Sequence, residues 1–195
     1  VLDLGANVGL VSLYLSDIAS RILAVEAGPK QLELLKQNCK NETNIEIVEA
    51  AIAGNNEDVI FYMKPDNNTT NSLIKSNSNT EYSINVKGIT IPKLLEDYNV
   101  EKVDFCKIDI EGSEMVSLTE DIIKQFYDKI DFIFLEVHAT NPINWRQDLR
   151  QNLVKLYNLL NKCGYKCKSP YMDMVMSGNM YPISDFVVDK IYCYK

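Results

Sequence analysis

The stretch Val1-Leu2-Asp3-Leu4-Gly5-Ala6-Asn7-Val8-Gly9 decides the fold of this chain. Residues 1–4 are typical of a buried strand, and residues 8–18 carry apolar side chains at helical spacing. The turn between them directs backbone N–H groups and a helix N-terminus towards a ligand, and its small residues let that ligand approach the main chain. The stretch therefore predicts a nucleotide-binding loop at the start of an α/β domain.

Short apolar runs alternate with helical periods along the rest of the chain, which is typical of a largely parallel sheet with crossover helices. The strands predicted for this sheet are residues 1–4, 22–26, 45–52, 103–110, 130–137, 165–168 and 186–194. The helices predicted between them are residues 8–18, 29–38, 92–98, one that begins at 112–113, and 145–163. The pattern predicts a Rossmann-like α/β sheet of about seven strands, mostly parallel, with helices on both faces and an antiparallel C-terminal strand.

The middle of the chain has a different composition. Two short strands are predicted over residues 59–63 and 82–86, and they flank residues 66–80, which are dominated by Asn, Ser and Thr. Such a composition does not build a core, so we expect a solvated loop there. A loop of this length indicates either a mobile lid or a disordered segment.

Bulk composition limits the classes of partner. With 195 residues, 46% of them hydrophobic, the chain is expected to form one domain around a single core. A net charge of −7 and the lack of a dense basic segment argue against a nucleic-acid partner. No apolar run approaches the roughly 18 residues of a membrane span. Five scattered cysteines without a CxxC pair predict reduced core thiols and a cytoplasmic location.

The spacing within the loop discriminates between cofactors. A dinucleotide fingerprint needs glycine at the positions of Gly5, Asn7 and Leu10, and two of these fail. Small or turn-forming residues at Gly5, Asn7 and Gly9 fit the methyltransferase pattern, because Asn tolerates positive φ. Glu26 ends the second strand, where a carboxylate can accept hydrogen bonds from a ribose diol, although it could instead cap the next helix. The loop therefore favours S-adenosylmethionine over NAD. The predicted cofactor-binding residues are Asp3, Gly5, Ala6, Asn7, Gly9, Glu26, Ala27 and Asp109.

Polar side chains end two later strands. Asp109 and Glu111 end the strand predicted over residues 103–110, and Glu136 and His138 end the strand over residues 130–137. Because neighbouring parallel strands end at the same edge of a sheet, we expect the four side chains to converge as the catalytic group. His138 is the only histidine of the chain, and its role as a base, a metal ligand or a structural hydrogen-bonding group stays open.

Pooled carboxylates repel one another unless a proton, a cation or N–H groups offset their charge. We favour a metal-free site in which Lys107 and the loop N–H groups supply the positive potential. The Asn/Asp-Pro-Pro-Tyr/Phe block that enzymes methylating amines use does not follow Asp109. Its absence favours an oxygen acceptor.

Three segments carry a family resemblance, namely residues 1–9, residues 25–29 (Val-Glu-Ala-Gly-Pro) and residues 107–114 (Lys-Ile-Asp-Ile-Glu-Gly-Ser-Glu). Together they resemble the FkbM family of methyltransferases. The resemblance extends to about residue 138 and implies a class I, S-adenosylmethionine-dependent O-methyltransferase. It also implies a small hydroxylated acceptor, such as a sugar or a polyketide. The family usually has Glu-Pro after the second strand, whereas Ala27 and Gly28 separate Glu26 from Pro29 here. Members carry a lead-in segment before the first strand, so we expect one methyltransferase domain over residues 1–195 that lacks it.

Two other functions compete with this one. A nicotinamide-dependent oxidoreductase is disfavoured by Leu10 at the third glycine position of its fingerprint. A non-catalytic protein that keeps the methyltransferase fold would bind a partner and transfer no methyl group. Calorimetry with S-adenosylmethionine, adenosylhomocysteine and NAD separates the three.

Overall fold

A computed structural model of the chain describes residues 1–63, 71–75, 82–141, 143–176 and 188–195. Its strands are β1 Leu2–Leu4, β2 Ile22–Glu26, β3 Ile45–Glu49, β4 Ala51–Ile52, β5 Asp58–Met63, β6 Tyr82–Ile89, β7 Val103–Ile108, β8 Ile130–His138, β9 Lys166–Lys168 and β10 Val188–Tyr194. Its helices are α1 Leu10–Ser16, α2 Pro29–Asn38, α3 Ile91–Asp97, α4 Glu114–Ser117, α5 Glu120–Phe126, α6 Trp145–Lys162 and α7 Pro170–Met176.

The main sheet has seven strands in the order β3-β2-β1-β7-β8-β10-β9. The pairs from β3 through β8 are parallel, and β10 runs antiparallel to both β8 and β9. This arrangement confirms the predicted sheet and the antiparallel C-terminal strand. Strand order reverses between β1 and β7, so the ligand of such a fold is expected beyond the carboxyl ends of these two strands.

Alternation along β2 shows why helices cover both faces of the sheet. Leu23 and Val25 belong to the core cluster that contains Leu94 of α3 and Ile123 of α5. Ala24 points to the opposite face and packs with side chains of α2. Successive side chains of a strand point to opposite faces, and every one of these β2 residues is almost completely buried. The sheet is therefore a central layer, as a doubly wound fold requires.

The single strand predicted over residues 45–52 is wrong. Strand β3 ends at Glu49, and the backbone N–H of Ala50 donates to Glu26 O at 3.0 Å as the last link to β2. The chain then leaves the main sheet, and β4 pairs in parallel with β6. Strands β4, β6 and β5 form a second sheet of three strands. A continuous apolar run does not reveal that its two ends belong to different sheets.

Residues 71–75, in the middle of the polar segment, are anchored to the domain. The backbone groups of Ser72 and Tyr62 exchange two hydrogen bonds of 3.0 and 2.8 Å. The Ser72 hydroxyl donates to Glu111 O at 2.5 Å, and Ser113 Oγ accepts from the N–H of Leu73 at 3.3 Å. Asn71 and Ser72 are buried, so the prediction of a solvated loop is wrong for this part. Residues 66–70 and 76–80 lie outside the described residues.

We expect Ser72→Ala to lower the free energy of unfolding by about 1 kcal/mol, because Glu111 O loses its hydroxyl donor. In the native protein, the amide hydrogens of Tyr62 and Ser72 should exchange roughly 100-fold more slowly than those of an unstructured peptide. Hydrogen exchange and chemical denaturation measure the two effects. Ser83→Ala is a suitable control, because Ser83 is an exposed partner of Tyr62 on β6. Fast exchange at Ser72 would contradict the anchoring.

The lengths of the helices and the state of the cysteines can be compared with the sequence predictions. Among the helices of the described ranges, none is long and apolar enough to cross a membrane. All five cysteines lie in the described ranges, and each is a buried, free thiol. The prediction that the cysteines lie in the core is thus confirmed.

Candidate active site

The loop between β1 and α1 has the backbone conformation that its sequence predicts. Gly5, Asn7 and Gly9 have φ values of +78°, +52° and +89°, all in the left-handed region. Glycine adopts this region at little cost, and asparagine tolerates it better than most other residues. The backbone N–H groups of Gly5 and Ala6 both donate to Val25 O, at 3.0 and 2.9 Å. The loop is thereby fixed to the end of β2.

Gly5 is required by the backbone of the neighbouring strand. A Cβ atom at this position would lie 1.8 Å from the carbonyl oxygen of Asp109. The first residue after β7 therefore passes directly against the loop, and only glycine leaves room for it. This contact brings Asp109 to the cofactor loop.

Gly9 serves the packing of the loop and does not line the cavity. A Cβ atom here would lie 2.6 Å from Leu35 Cδ1 and 3.0 Å from Cys39 Sγ. The close approach that needs a glycine is therefore made to α2. Gly9 shapes the site by allowing the loop to pack against that helix.

Asp3 and Lys107 lie beneath the loop. Asp3 is fully buried, and its Oδ2 accepts a hydrogen bond of 2.6 Å from Ser12 Oγ. Lys107 Nζ donates to Gly5 O at 2.9 Å and lies 3.2 Å from Asp109 Oδ2 and 3.5 Å from Asp3 Oδ1. Burial alone would lower the pKa of Lys107, but the carboxylates of Asp3 and Asp109 raise it, so the ammonium stays charged. Asp3 thus positions Lys107 and α1 and does not face the cavity.

Glu26 holds the loop and the start of α2 together. Its Oε2 accepts from Asn7 N at 2.9 Å, and its Oε1 accepts from Ala27 N at 3.0 Å and Gly28 N at 2.7 Å. Burial raises the pKa of this carboxyl, while the three N–H groups act in the opposite direction. The carboxylate binds the N-cap residue Gly28, as the capping interpretation predicted, and it also lines the cavity.

The cavity extends from the loop to the ends of β2, β4 and β7. Five of the predicted cofactor-binding residues besides Glu26 line it, namely Gly5, Ala6, Asn7, Ala27 and Asp109. The sequence analysis missed several others, namely Gln31, Ile52, Phe61, Asn71, Leu73 and Ser113. The sequence did contain an indication that Leu73 is part of the site, because Leu73-Ile74 is the only apolar pair within residues 66–80.

We expect Glu26→Gln to weaken the binding of S-adenosylmethionine about 10- to 100-fold, which corresponds to about 1.5–3 kcal/mol. An amide retains one acceptor oxygen, and its NH₂ group would face the N–H of Asn7 or of Gly28. Calorimetry measures the loss. Glu33→Gln on α2 is the control, since Glu33 is exposed and its change removes the same charge. Equal affinities of wild type and Glu26→Gln would contradict a role for this carboxylate.

Asp109, Glu111 and His138 converge at one edge of the cavity. His138 Nε2 lies 3.5 Å from Asp109 Oδ1 and 3.6 Å from Glu111 Oε2. The prediction that β7 continues to residue 110 is wrong, since it ends at Ile108. Glu111 has a φ of +55°, so a turn, and not strand alternation, brings the two carboxylates together. We name Asp109, Glu111 and His138 the carboxylate–histidine cluster.

Glu114 is the partner of His138 that the sequence analysis did not assign. Its fully buried Oε1 lies 3.0 Å from His138 Nδ1 and accepts from Ile110 N at 3.1 Å. Burial alone would lower the pKa of His138, but Glu114, Glu111 and Asp109 raise it to about 9. Burial, opposed by His138 and reinforced by the nearby carboxylates, raises the pKa of Glu111 to about 7.

Glu136 stands apart from the cluster. Its carboxylate lies on β8 two residues before His138, and Lys190 Nζ of β10 approaches it to 3.9 Å. Within the part of the chain that the structure describes, the ligand atoms that lie within 4.8 Å of one another belong to Asp109, Glu111 and His138. Of the four predicted catalytic residues, the structure therefore brings three together.

Solved structures share this fold. One is precorrin-6y C5,15-methyltransferase from Geobacter metallireducens, with 17% sequence identity and a TM-score of 0.53. The alignment covers 100% of this chain and 79% of the methyltransferase chain. Aeropyrum pernix fibrillarin, solved with natively bound S-adenosyl-L-methionine, is 16% identical over 98% of this chain and 64% of its own, with a TM-score of 0.53. A third is SMU.1697c from Streptococcus mutans, solved in complex with SAH, with 8% sequence identity and a TM-score of 0.54. The alignment covers 100% of this chain and 86% of the SMU.1697c chain. At these identities the likeness shows the fold alone.

Sequence comparison gives the family. No curated protein matches the chain. The family model described as the methyltransferase FkbM domain matches residues 3–167. This range contains the loop, Glu26 and the whole carboxylate–histidine cluster. Since the match spans most of the chain, the protein belongs to the FkbM family of methyltransferases, and its cofactor is S-adenosylmethionine.

Proposed function

We propose that this methyltransferase acts in the cytoplasm and transfers its methyl group to a hydroxyl oxygen of a small metabolite, of the sugar or polyketide type. The observation that carries the proposal is the carboxylate–histidine cluster at the edge of the cofactor cavity. A hydroxyl acceptor must lose its proton, and a polar cluster beside the reacting atoms serves that need. Buried free thiols in the described ranges are consistent with a reducing compartment.

The residues around the cavity fit an adenosyl cofactor. The carboxylate of Glu26 is placed to bind a ribose diol, and the apolar side chains of Ile52, Phe61 and Leu73 provide a surface for an aromatic base. Gly5 and Ala6 add small residues to the cavity wall. When bound, S-adenosylmethionine supplies a methyl group on a positively charged sulfur. The carboxylates of Asp109 and Glu111 offer that charge a complementary environment.

The cluster also limits the acceptor. Asp109 and Glu111 line the cavity, and their side chains are 26% and 29% exposed. Their oxygens accept hydrogen bonds, so they can orient an acceptor that carries several hydroxyl groups. An anionic acceptor would meet like charges at the edge of the cavity. We therefore favour a neutral, polyhydroxylated acceptor, and the net charge of −7 argues in addition against a phosphate backbone.

A methyl-transfer assay with ¹³C-methyl-labelled S-adenosylmethionine tests the proposal on hydroxylated sugars and polyketides, with amines and a structured RNA as comparison acceptors. NMR of the product shows whether the label is on oxygen, nitrogen or carbon. Label on oxygen of a small molecule supports the proposal. Label on nitrogen, carbon or RNA overturns it. Tight cofactor binding without transfer to any of these acceptors would favour the non-catalytic alternative.

A further inference from the structure

The distances from His138 Nε2 to the carboxylates of Asp109 and Glu111 are longer than those of direct hydrogen bonds. The two contacts of His138 Nε2, of 3.5 and 3.6 Å, exceed the 2.7–2.9 Å that is usual for charge-assisted hydrogen bonds. Adjacent ligands of one metal ion, each about 2.0–2.2 Å from it, lie about 3.0–3.5 Å apart. The two carboxylate oxygens therefore lie close to metal-ligand spacing from His138 Nε2, and ligand atoms of all three side chains lie within 4.8 Å of one another.

The orientation of His138 is an independent observation. Glu114 Oε1 already accepts the N–H of Ile110, so it acts as an acceptor, and His138 Nδ1 carries the proton directed at it. Nε2 is then the ring atom that faces the carboxylates of Asp109 and Glu111. The two carboxylates repel each other unless a positive charge lies at Nε2, and a divalent cation supplies that charge when it replaces the Nε2 proton. The side chain of His138 is only 8% exposed, so water screens this repulsion poorly.

We propose that Asp109, Glu111 and His138 bind one divalent transition-metal cation at the edge of the cofactor cavity. Histidines that ligate metals almost always donate their second ring N–H to a carboxylate or carbonyl, and Glu114 occupies that position here. The Asn152 side chain donates to His138 O at 3.0 Å and fixes the end of β8. Two buried side chains that are not ligands, Glu114 and Asn152, therefore hold His138 in place.

This proposal differs from the metal-free site that the sequence favoured. Lys107 was expected to balance the carboxylates, but its ammonium lies 3.2 Å from Asp109 Oδ2 and donates to Gly5 O. It therefore neutralises one oxygen of Asp109 from the loop side. The oxygens that face His138 are Asp109 Oδ1 and Glu111 Oε2, and no lysine or arginine of the described ranges forms an ion pair with Glu111.

Two carboxylates and one imidazole favour a first-row transition metal over calcium or magnesium. Calcium and magnesium prefer oxygen ligands throughout, whereas imidazole suits the later metals and carboxylate suits manganese. Asp109 and Glu111 line the cavity while His138 does not, so the open side of the site faces the cofactor. A cation there would also bind the acceptor hydroxyl, and this part of the inference rests on the proposed function.

Mn²⁺ alone is the probe, because its EPR signal reports free ion without any need for methyl transfer. We expect wild type to bind one Mn²⁺ per chain, and Glu111→Gln and Asp109→Asn to weaken it at least about 30-fold. Pulsed EPR of the bound ion should show a coordinated nitrogen that His138→Gln removes. Far-UV circular dichroism and thermal unfolding of each variant, measured in parallel, confirm that it is folded.

Glu136→Gln is the matched control. It removes a carboxylate from the same edge of the sheet but outside the cluster, and its effect on Mn²⁺ affinity should stay below about threefold, since it acts only through a screened charge. Wild type that binds S-adenosylmethionine but no Mn²⁺ at millimolar concentration overturns the inference. So does Mn²⁺ binding that Glu111→Gln leaves unchanged. Mn²⁺ binding with the expected variant pattern supports the site even if the label is never found on oxygen, and the proposed function then fails alone.

Discussion

Replacing His138 by alanine is expected to slow methyl transfer by about 10²- to 10⁴-fold, the range for losing a group that handles the proton of a reacting hydroxyl. The affinity for S-adenosylmethionine should change by less than about threefold, because a side chain outside the cavity lining contributes little binding energy. The loss should therefore fall on kcat. Steady-state kinetics and calorimetry on the same sample separate the two quantities.

The alanine variant also leaves Glu114 buried with the N–H of Ile110 as its remaining donor, which costs about 1–3 kcal/mol of stability. Asn152→Ala is the matched control, since it loosens the backbone of His138 and keeps the imidazole. It should reduce kcat by less than about tenfold. A His138→Ala protein that retains half of the wild-type kcat would contradict the role of the cluster in methyl transfer.

Gly5→Ala is expected to weaken cofactor binding at least about 100-fold and to lower the free energy of unfolding by about 3–4 kcal/mol. The added methyl group would lie 1.8 Å from Asp109 O, and the φ of +78° is itself unfavourable for alanine. Because the obstacle is backbone, the loop and the end of β7 must separate. Calorimetry and chemical denaturation measure the two effects.

Gly112→Ala separates the cost of positive φ from the cost of the collision. Gly112 has a φ of +96°, but its added methyl group would meet nothing closer than Thr140 Cγ2 at 3.3 Å. Its stability loss should therefore stay near 1–2 kcal/mol. Gly5→Ala with a loss no greater than that of Gly112→Ala would show that the loop and β7 can move apart at little cost.

The sequence determined the features that depend on neighbours along the chain. Hydrophobic periodicity predicted strand β1 and the position of Glu26 at the end of β2. The backbone freedom of glycine and asparagine predicted the left-handed residues of the loop after β1. Residue spacing also predicted the parallel sheet, since crossover connections between short apolar strands allow few other topologies. The polar ends of β7 and β8 could be expected at one edge for the same reason.

The tertiary structure alone decided which of these residues touch. Glu114 supports His138 from 24 positions away, and Glu136 is approached by Lys190 because β10 runs antiparallel beside β8. Ser72 fixes Glu111 from 39 positions away, within a segment whose composition predicted only solvent exposure. Such contacts depend on strand order and on the path of the turns at strand ends, and hydrophobic periodicity along the chain specifies neither of them. The sequence therefore determined the fold and the cofactor loop, and the packing of distant segments determined the carboxylate–histidine cluster.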